Sequence, residues 1–180
     1  MDKVYQEIEL WNVYDRDRNL TDRIHRRGEA LKEGDYHLII HLCIFNSKGE
    51  LLIQRRQPWK KGWPNMWDLS VGGSALIGED SREAAEREAK EELGIDIDLT
   101  EYRPKFTINF PRGFDDYWMI EKDIPLEDFK LQEEEVSEVR WVNKEQLQEL
   151  VDKGMFIKYF FIDKIFELRN YHSAIIEGTV

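Results

Sequence analysis

The segment from Gly73 to Ile95 constrains the fold of this chain more than any other part of the sequence. Asp80 is a favourable helix N-cap, and Glu83 three residues later completes a capping box. Gly94 stands where a left-handed C-cap is expected. An apolar stripe at helical spacing lies between these ends and consists of Ala84, Ala85, Ala89 and Leu93. The sequence therefore predicts one helix over Ser81–Leu93.

Three carboxylates share one face of this predicted helix. Glu88 is related to Glu91 and Glu92 by spacings of three and four residues, which bring side chains together on a helix. Like charges at these spacings repel by about 0.2–0.5 kcal/mol per pair. A divalent cation would turn this repulsion into coordination, because Mg²⁺ prefers oxygen ligands and commonly bridges carboxylates to substrate phosphates.

The whole segment resembles the Nudix box, Gly-x5-Glu-x7-Arg-Glu-U-x-Glu-Glu-x-Gly-U, in which U is bulky or aliphatic. Its fixed positions correspond to Gly73, Glu79, Arg87, Glu88, Glu91, Glu92, Gly94 and Ile95, and Ala89 is small for its position. The resemblance to the Nudix hydrolase superfamily implies an α/β/α sandwich with a mixed β-sheet. It also implies Mg²⁺-dependent cleavage of a nucleoside diphosphate linked to a further group, with Mn²⁺ as an alternative metal.

The same resemblance assigns expected roles to the box residues. Glu79 and Arg87 would pair and brace the loop against the helix. The carbonyl of Gly72 would join Glu88, Glu91 and Glu92 around the metal, and water would attack phosphorus.

Composition limits the other classes of function. The chain has 180 residues, which suits a single domain over residues 1–180 with an N-terminal strand and extension over 1–35. Its net charge of −11 disfavours nucleic acid polymers and anionic membranes as partners. Cys43 is the single cysteine, and no apolar run is long enough for a membrane span. We therefore expect a cytoplasmic protein with a small phosphoanhydride substrate, and a homodimer is compatible with these features.

The remaining chain alternates predicted strands and loops. Strands are predicted over residues 7–14, 37–45, 51–56, 67–71, 105–110, 117–122 and 136–142. Residues 15–35 are highly charged and are predicted to be irregular, and residues 111–115 to be a loop. C-terminal helices are expected over about 143–171. One begins at the capping box of Asn143 and Gln146 and runs to about Asp152, and the other covers Met155–Tyr171.

A second resemblance narrows the branch of the superfamily. The arrangement of Tyr14–Asn19, Gln54–Arg56 and Trp63–Gly73 is similar to that of Nudix proteins related to isopentenyl diphosphate isomerase. In that isomerase a catalytic cysteine and a metal-binding histidine flank the first glycine of the box, whereas this chain has Gly72 and Ser74 there. Hydrolysis is therefore favoured, with an isomerase and a non-catalytic nucleotide-binding module as alternatives. Some members of this branch hydrolyse nucleoside diphosphates such as CDP and UDP.

Positive and aromatic residues before the box are candidates for substrate binding. Arg55, Arg56, Lys60 and Lys61 form the densest positive patch, and arginine suits bidentate binding of phosphate. Strand alternation lets one of the two arginines face the cleft, and the subfamily pattern favours Arg56. Trp59 and Trp63 either stack on a base or pin the loop to the core, while Trp67 is expected in the core. A second aromatic group comprises Phe110, Phe114, Tyr117 and Trp118.

The catalytic base and the histidines stay open at this stage. A base outside the box could come from Asp115 or Asp116, or from Glu133, Glu134 or Glu135, and the box carboxylates could also supply it. His37 is either a metal ligand or a histidine at a strand edge. His25, with Arg23, Arg26 and Arg27, either reaches the phosphates or stays exposed and pairs with acidic residues.

Overall fold

A computed structural model describes residues 9–171 of the chain. It contains nine strands and three α-helices in these residues. The strands are β1 (Leu10–Tyr14), β2 (Leu20–Arg26), β3 (His37–Phe45), β4 (Leu51–Arg56), β5 (Trp67–Asp68), β6 (Val71–Ser74), β7 (Phe106–Phe110), β8 (Gly113–Glu121) and β9 (Val136–Val142). The helices are α1 (Ser81–Leu93), α2 (Lys144–Asp152) and α3 (Ile165–Leu168), with 3₁₀ turns at Leu126–Asp128 and Ile162–Lys164.

Seven strands form one mixed sheet, and β1 pairs with β2 in a separate ribbon. The main sheet has the order β5-β4-β3-β8-β7, with β6 paired to β3 and β9 paired to β4. Strands β3 and β8 are parallel, whereas the other pairs are antiparallel. One edge of β3 is shared by β6 and β4, so the sheet divides there. This division leaves room for a cleft beside β6.

Two apolar clusters cover the two faces of this sheet. Leu38, Ile40, Leu42 and Ile44 of β3 pack with the alanine stripe of α1. Cys43 and Phe45 point to the other face and pack with residues of α2 and α3. The alternation of β3 side chains thus places one helix layer on each side, and the α/β/α sandwich with a mixed sheet is confirmed.

The local helix predictions hold where capping residues define them. Asp80 accepts from the backbone of Arg82 and Glu83, and Gly94 ends α1 in the left-handed region. Asn143 and Gln146 form the second capping box, at the start of α2. The predicted strands over residues 37–45, 51–56 and 136–142 match β3, β4 and β9. Of the strand predicted over residues 7–14, residues 7 and 8 lie outside the described residues.

Two predictions of secondary structure are wrong. Residues 15–35 contain β2, which pairs with β1 in an exposed ribbon; its charged residues hide the apolar alternation of an ordinary strand. The long helix over residues 155–171 is replaced by an extended segment followed by the 3₁₀ turn and α3. The reason is that backbone groups of Met155 and Ile157 bond to Trp67 of β5, at 2.8 and 2.9 Å, instead of to a helical turn.

Smaller differences concern strand ends around the predicted site. The strand predicted over residues 67–71 is two strands, because β5 pairs with β4 and β6 pairs with β3. Strand β8 begins at Gly113 and not at Tyr117, so the predicted loop over residues 111–115 is a tight turn between β7 and β8. This longer β8 places Asp115 and Asp116 within the sheet.

Candidate active site

The carboxylates of Glu88 and Glu92 lie between α1 and the split sheet. Glu92 is 5% exposed and accepts a hydrogen bond of 2.8 Å from Nε2 of Gln54 on β4. Glu88 lies against the backbone of Gly73, and a Cβ at Gly73 would overlap its carboxylate. A glycine at this position is therefore needed for the helix to approach β6.

Burial makes ionisation of these two carboxylates costly. Burial raises the pKa of Glu88 to about 7, with Glu91 raising it further and Arg87 opposing the shift. Burial, and then the charge of Glu88, raises the pKa of Glu92 well above its ordinary value. Both groups would gain from a cation between them, because each currently repels the other.

Arg87 holds the loop of the box against α1. Its Nε and Nη2 donate to Glu79 at 2.6 and 3.0 Å, and Nη2 also donates to the carbonyl of Ser74 at 3.1 Å. Oε2 of Glu79, the oxygen that Nη2 contacts, also accepts a hydrogen bond of 2.8 Å from the backbone N–H of Leu76. Nη1 of Arg87 lies 3.0 Å from Glu88 and 2.9 Å from Glu91. These neighbouring carboxylates raise the pKa of Arg87 although burial opposes the shift, so the guanidinium stays charged.

The residues present fit a divalent cation held jointly with substrate. Among residues 9–171, no group of three or more His, Cys, Asp or Glu side chains is arranged to hold a metal ion. Magnesium, however, is commonly bound by one or two carboxylates, with water and phosphate oxygens completing its shell. Glu88 and Glu92 supply two enclosed carboxylates with raised pKa values, and Gly72 on β6 directly precedes the glycine that Glu88 contacts. Glu91 is half exposed and is engaged by Arg87.

A series of connected polar side chains forms the opposite side of the site, and most of them were not predicted from the sequence. Arg56 on β4 lies 3.5 Å from the Asp68 carboxylate and donates to the carbonyl of Gly62 at 3.1 Å. The hydroxyl of Tyr159 donates to Asp68 at 2.6 Å and lies 3.2 Å from Nε2 of His41. Nδ1 of His41 is 2.8 Å from Asp115. Asp68, His41 and Tyr159 are therefore additional candidates, from three separate segments of the chain.

His41 also fills the space beside Gly72. The two residues are paired across β3 and β6, and a Cβ at Gly72 would lie 2.9 Å from Cδ2 of His41. The ring of His41 stacks on Tyr117 with centroids 4.8 Å apart. Burial opposes protonation of His41, but the hydrogen bond and the charge of Asp115 raise its pKa. One sequence signal could have indicated this residue: His37 and His41 are four apart on a strand and so share a face.

The end of β4 and the loop before β5 carry the other predicted substrate contacts. Arg55 lies 3.7 Å from Glu138, and Lys60 pairs with Glu135. Trp63 is 60% exposed and has φ of 51°, which is unusual for a large side chain. Trp59 is 66% exposed and donates from Nε1 to the carbonyl of Glu134 at 3.2 Å. Neither indole is buried in the core, whereas Trp67 is buried, with Arg140 over its ring at 4.2 Å.

The candidate bases are held in different ways. Asp116 is fully buried and is bound by Arg18 and Thr107. Asp115 is bound by His41 and by the hydroxyl of Tyr117. The charge of Glu135 contributes to the raised pKa of Glu92, and the carbonyl of Glu133 accepts from Gln57 at 2.7 Å. Of these groups, Asp116 is thus the one whose carboxylate is most fully engaged by other side chains.

The remaining histidines lie among aromatic rings. His37 stacks on Trp11 with centroids 4.7 Å apart and meets Phe110 edge-on. Burial, and then the charge of His25, lowers the pKa of His37 to about 4. His25 is itself buried beside Trp11. The neighbouring arginines pair with acids, Arg23 with Asp35 at 2.9 Å and Arg27 with Glu9.

Fold and site together define a sandwich protein with a capped, carboxylate-rich helix packed on a split mixed sheet. The NUDIX domain family matches residues 35–163, and the chain belongs to the Nudix hydrolase family. A protein of Listeria innocua named as an uncharacterized Nudix hydrolase is 57% identical over 163 residues, 91% of this chain and 96% of that protein.

Two other relatives bear on the branch and the fold. An isopentenyl-diphosphate Delta-isomerase of Clavibacter michiganensis is 33% identical over 135 residues, which are 69% of this chain and 64% of that enzyme. A crystal structure of a Deinococcus radiodurans protein matches with a TM-score of 0.72 and 25% identity, over 91% of this chain and 100% of that chain. The resemblance to a family branch that contains isomerases is thereby confirmed. No helix among residues 9–171 is long and apolar enough to cross a membrane.

Proposed function

We propose that this protein is a Mg²⁺-dependent pyrophosphohydrolase that cleaves a nucleoside diphosphate-type substrate by attack of water on phosphorus. The observation that carries the proposal is the pair of the buried Glu92 and the partly buried Glu88, whose pKa values are raised beside the glycine strand β6. Two enclosed carboxylates that repel each other favour binding of a cation, although Arg87 already lies 3.0 Å from Glu88. Membership of the Nudix hydrolase family supports hydrolysis of a phosphoanhydride.

Each candidate residue has a role in this proposal. Glu88, Glu92 and the Gly72 carbonyl would hold the metal, with Glu91 released from Arg87 as a further ligand. A bound Mg²⁺ or Mn²⁺ would neutralise phosphate charge and lower the pKa of the attacking water. Glu79 holds Arg87 in place, which keeps the loop that precedes α1 fixed.

The substrate contacts would come from the opposite side of the site. Arg56, Arg55 and Lys60 would bind phosphate oxygens, and Trp63 would stack on a planar base. Each of the three cations is currently beside a carboxylate, Asp68, Glu138 and Glu135 respectively. Each of these positive charges is therefore balanced by a carboxylate before the substrate binds, as expected in a chain with a net charge of −11.

A phosphate-release screen tests the proposed function. Purified protein is incubated with nucleoside di- and triphosphates, nucleotide sugars and dinucleotides, in Mg²⁺, in Mn²⁺ and in excess chelator. For nucleotide sugars and dinucleotides, the released phosphate is measured after the products have been treated with phosphatase. We expect metal-dependent release from at least one nucleotide. Release that persists in chelator would reject the metal requirement, and no release from any substrate would reject hydrolysis and favour the non-catalytic module.

An isomerase is the second candidate, because relatives of this chain include isopentenyl-diphosphate isomerases. The isomerase chemistry needs an acid and a base within hydrogen-bond reach of the carbon skeleton. Gly72 has no side chain, and the ring of His41 fills the space that a side chain there would occupy. Ser74 also replaces the metal-binding histidine.

We predict no detectable dimethylallyl diphosphate when the protein is incubated with isopentenyl diphosphate and Mg²⁺. Product is measured by chromatography beside the hydrolysis assay on the same preparation. Steady formation of the isomer that is lost in Glu88→Gln would move the protein to the isomerase class.

A further inference from the structure

Tyr159 reaches the candidate active site from the C-terminal segment that follows α2. Backbone pairing of Met155 and Ile157 with Trp67 lays this segment along β5. The segment then turns so that the Tyr159 hydroxyl lies between Asp68 on β5 and His41 on β3. In the sheet these two strands flank β4, which carries Arg56.

Asp68 is the link between Tyr159 and Arg56. Its Oδ1 accepts two hydrogen bonds, one of 2.6 Å from the Tyr159 hydroxyl and one of 2.8 Å from the backbone N–H of Leu69. These two donors fix the carboxylate and leave Oδ2 for Arg56, at 3.5 Å from Nη1. The Nε of Arg56 is held separately by the carbonyl of Gly62. The direction of the guanidinium is therefore set by a buried carboxylate that Tyr159 holds in place.

The other contact of Tyr159 is with His41, which belongs to a cluster of stacked and hydrogen-bonded side chains on β3 and β8. His41 is stacked on Tyr117 and bonded to Asp115, which also accepts from the Tyr117 hydroxyl at 2.8 Å. A hydroxyl that contacts both His41 and Asp68 couples Asp68 to this fixed group. Side chains held in this way lose little conformational entropy when a ligand binds.

We propose that Tyr159 is a positioning residue for Arg56, acting through Asp68, and that it pre-orients the guanidinium for the phosphate groups of the substrate. The proposal rests on the proposed function, in which Arg56 binds phosphate. Loss of the Tyr159 hydroxyl releases Asp68 from one of its two donors, and Asp68 then no longer holds Arg56 in one direction. A hydrogen bond to a charged group is strong enough for its loss to weaken binding roughly tenfold.

The test compares Tyr159→Phe with Tyr117→Phe. Both changes remove one hydroxyl that donates to an aspartate in the same cluster, and only Asp68 contacts Arg56. We expect Tyr159→Phe to raise KM for the nucleotide about tenfold with kcat within about twofold of wild type. Tyr117→Phe should leave KM unchanged at a comparable loss of melting temperature. Equal effects of both variants on KM would overturn the proposal, since the hydroxyls would then serve stability alone.

A double-mutant cycle shows whether Tyr159 acts through Arg56. In the Arg56→Ala background, Tyr159→Phe should raise KM no further, because its target is absent. Multiplicative effects of the two changes would contradict the coupling. Asp68→Asn provides a second route to the same result if Tyr159→Phe folds poorly, and it should raise KM in the same way; a normal KM in Asp68→Asn would reject the link.

A binding measurement separates this proposal from the proposed function. Calorimetry with a nucleoside diphosphate whose bridging oxygen is replaced by methylene requires no turnover. Weaker binding to Tyr159→Phe than to Tyr117→Phe supports positioning even if wild-type protein proves inactive. Absence of binding to wild-type protein would reject the positioning role together with phosphate binding by Arg56.

Discussion

The two sides of the candidate active site differ in how well their charges are satisfied. On the helix side, Glu92 is buried beside the partly buried Glu88, and the pKa values of both are raised although Arg87 contacts Glu88. On the strand side, Asp68 is buried and Asp115 is about as enclosed as Glu88, but each accepts hydrogen bonds from two or more donors. The first arrangement is costly until a cation arrives, and the second is stable without any ligand. In the proposed function, the substrate-binding side is therefore fixed before binding, and the metal-binding side is stabilised only when a cation binds.

The largest effect that tests this comparison is expected on the helix side. Glu88→Gln and Glu92→Gln should each reduce kcat/KM about a hundredfold or more, because loss of a metal ligand removes several kcal/mol of transition-state stabilisation. Initial rates in Mg²⁺ with and without excess chelator measure this. Wild-type rates in both variants would show that these carboxylates do not hold the metal.

Glu88→Gln should lower kcat/KM without lowering the free energy of unfolding. The pKa of Glu88 is raised to about 7 in the fold, so the stabilisation present below its ordinary pKa is lost as pH rises through about 7. A neutral glutamine avoids this loss. In chelator at pH 8, Glu88→Gln should melt at or above the wild-type temperature, and a clearly lower melting temperature would contradict the comparison.

Glu79→Gln should have a smaller effect on catalysis than Glu88→Gln and a larger effect on stability. Glu79 accepts from Arg87 and from the Leu76 backbone, and it does not face Glu92. Loss of its charge weakens hydrogen bonds that are partly buried, which costs on the order of 1–3 kcal/mol. Melting temperature and kcat/KM measured side by side decide this. An equal catalytic loss at an unchanged melting temperature would show that Glu79 does more than brace Arg87.

The smallest effect concerns His37, which lies four residues before His41 on β3. His41 has Asp115 as a partner, whereas Nδ1 of the buried His37 has no hydrogen-bond partner among the described residues. The pKa of His37 is lowered to about 4, so its neutral form supports the fold above about pH 6.5 and this support is lost as pH falls towards 4. His37→Phe should therefore lose less stability than wild type between pH 7 and pH 5. If the melting temperatures of His37→Phe and wild type depended on pH in the same way, His37 would not be the source of this pH dependence.

The helix side could be predicted from sequence because its information is local. Caps, apolar spacing and the positions of Glu88, Glu91 and Glu92 all lie within one helix and its two ends. Of the strand side, only Arg56 and Asp115 could be named from sequence, because Asp68, His41 and Tyr159 meet only through strand pairing between distant segments. The error over residues 155–171 has the same origin, since aromatic residues at helical spacing there serve tertiary contacts of an extended chain.

The pairing of β3 limits how the protein can move. All nine residues of β3 pair with β8 on one side, and its other edge is occupied by β6 and then β4. Amide groups in such a strand are released only when a large part of the molecule opens, so they belong to the most slowly exchanging unit of the fold. His41 and the backbone beside Gly72 are therefore held as firmly as the core itself. We therefore expect motion on substrate binding to be confined to the exposed loop that carries Trp59 and Trp63 and to the acidic turn of Glu133 and Glu134 that packs beside it.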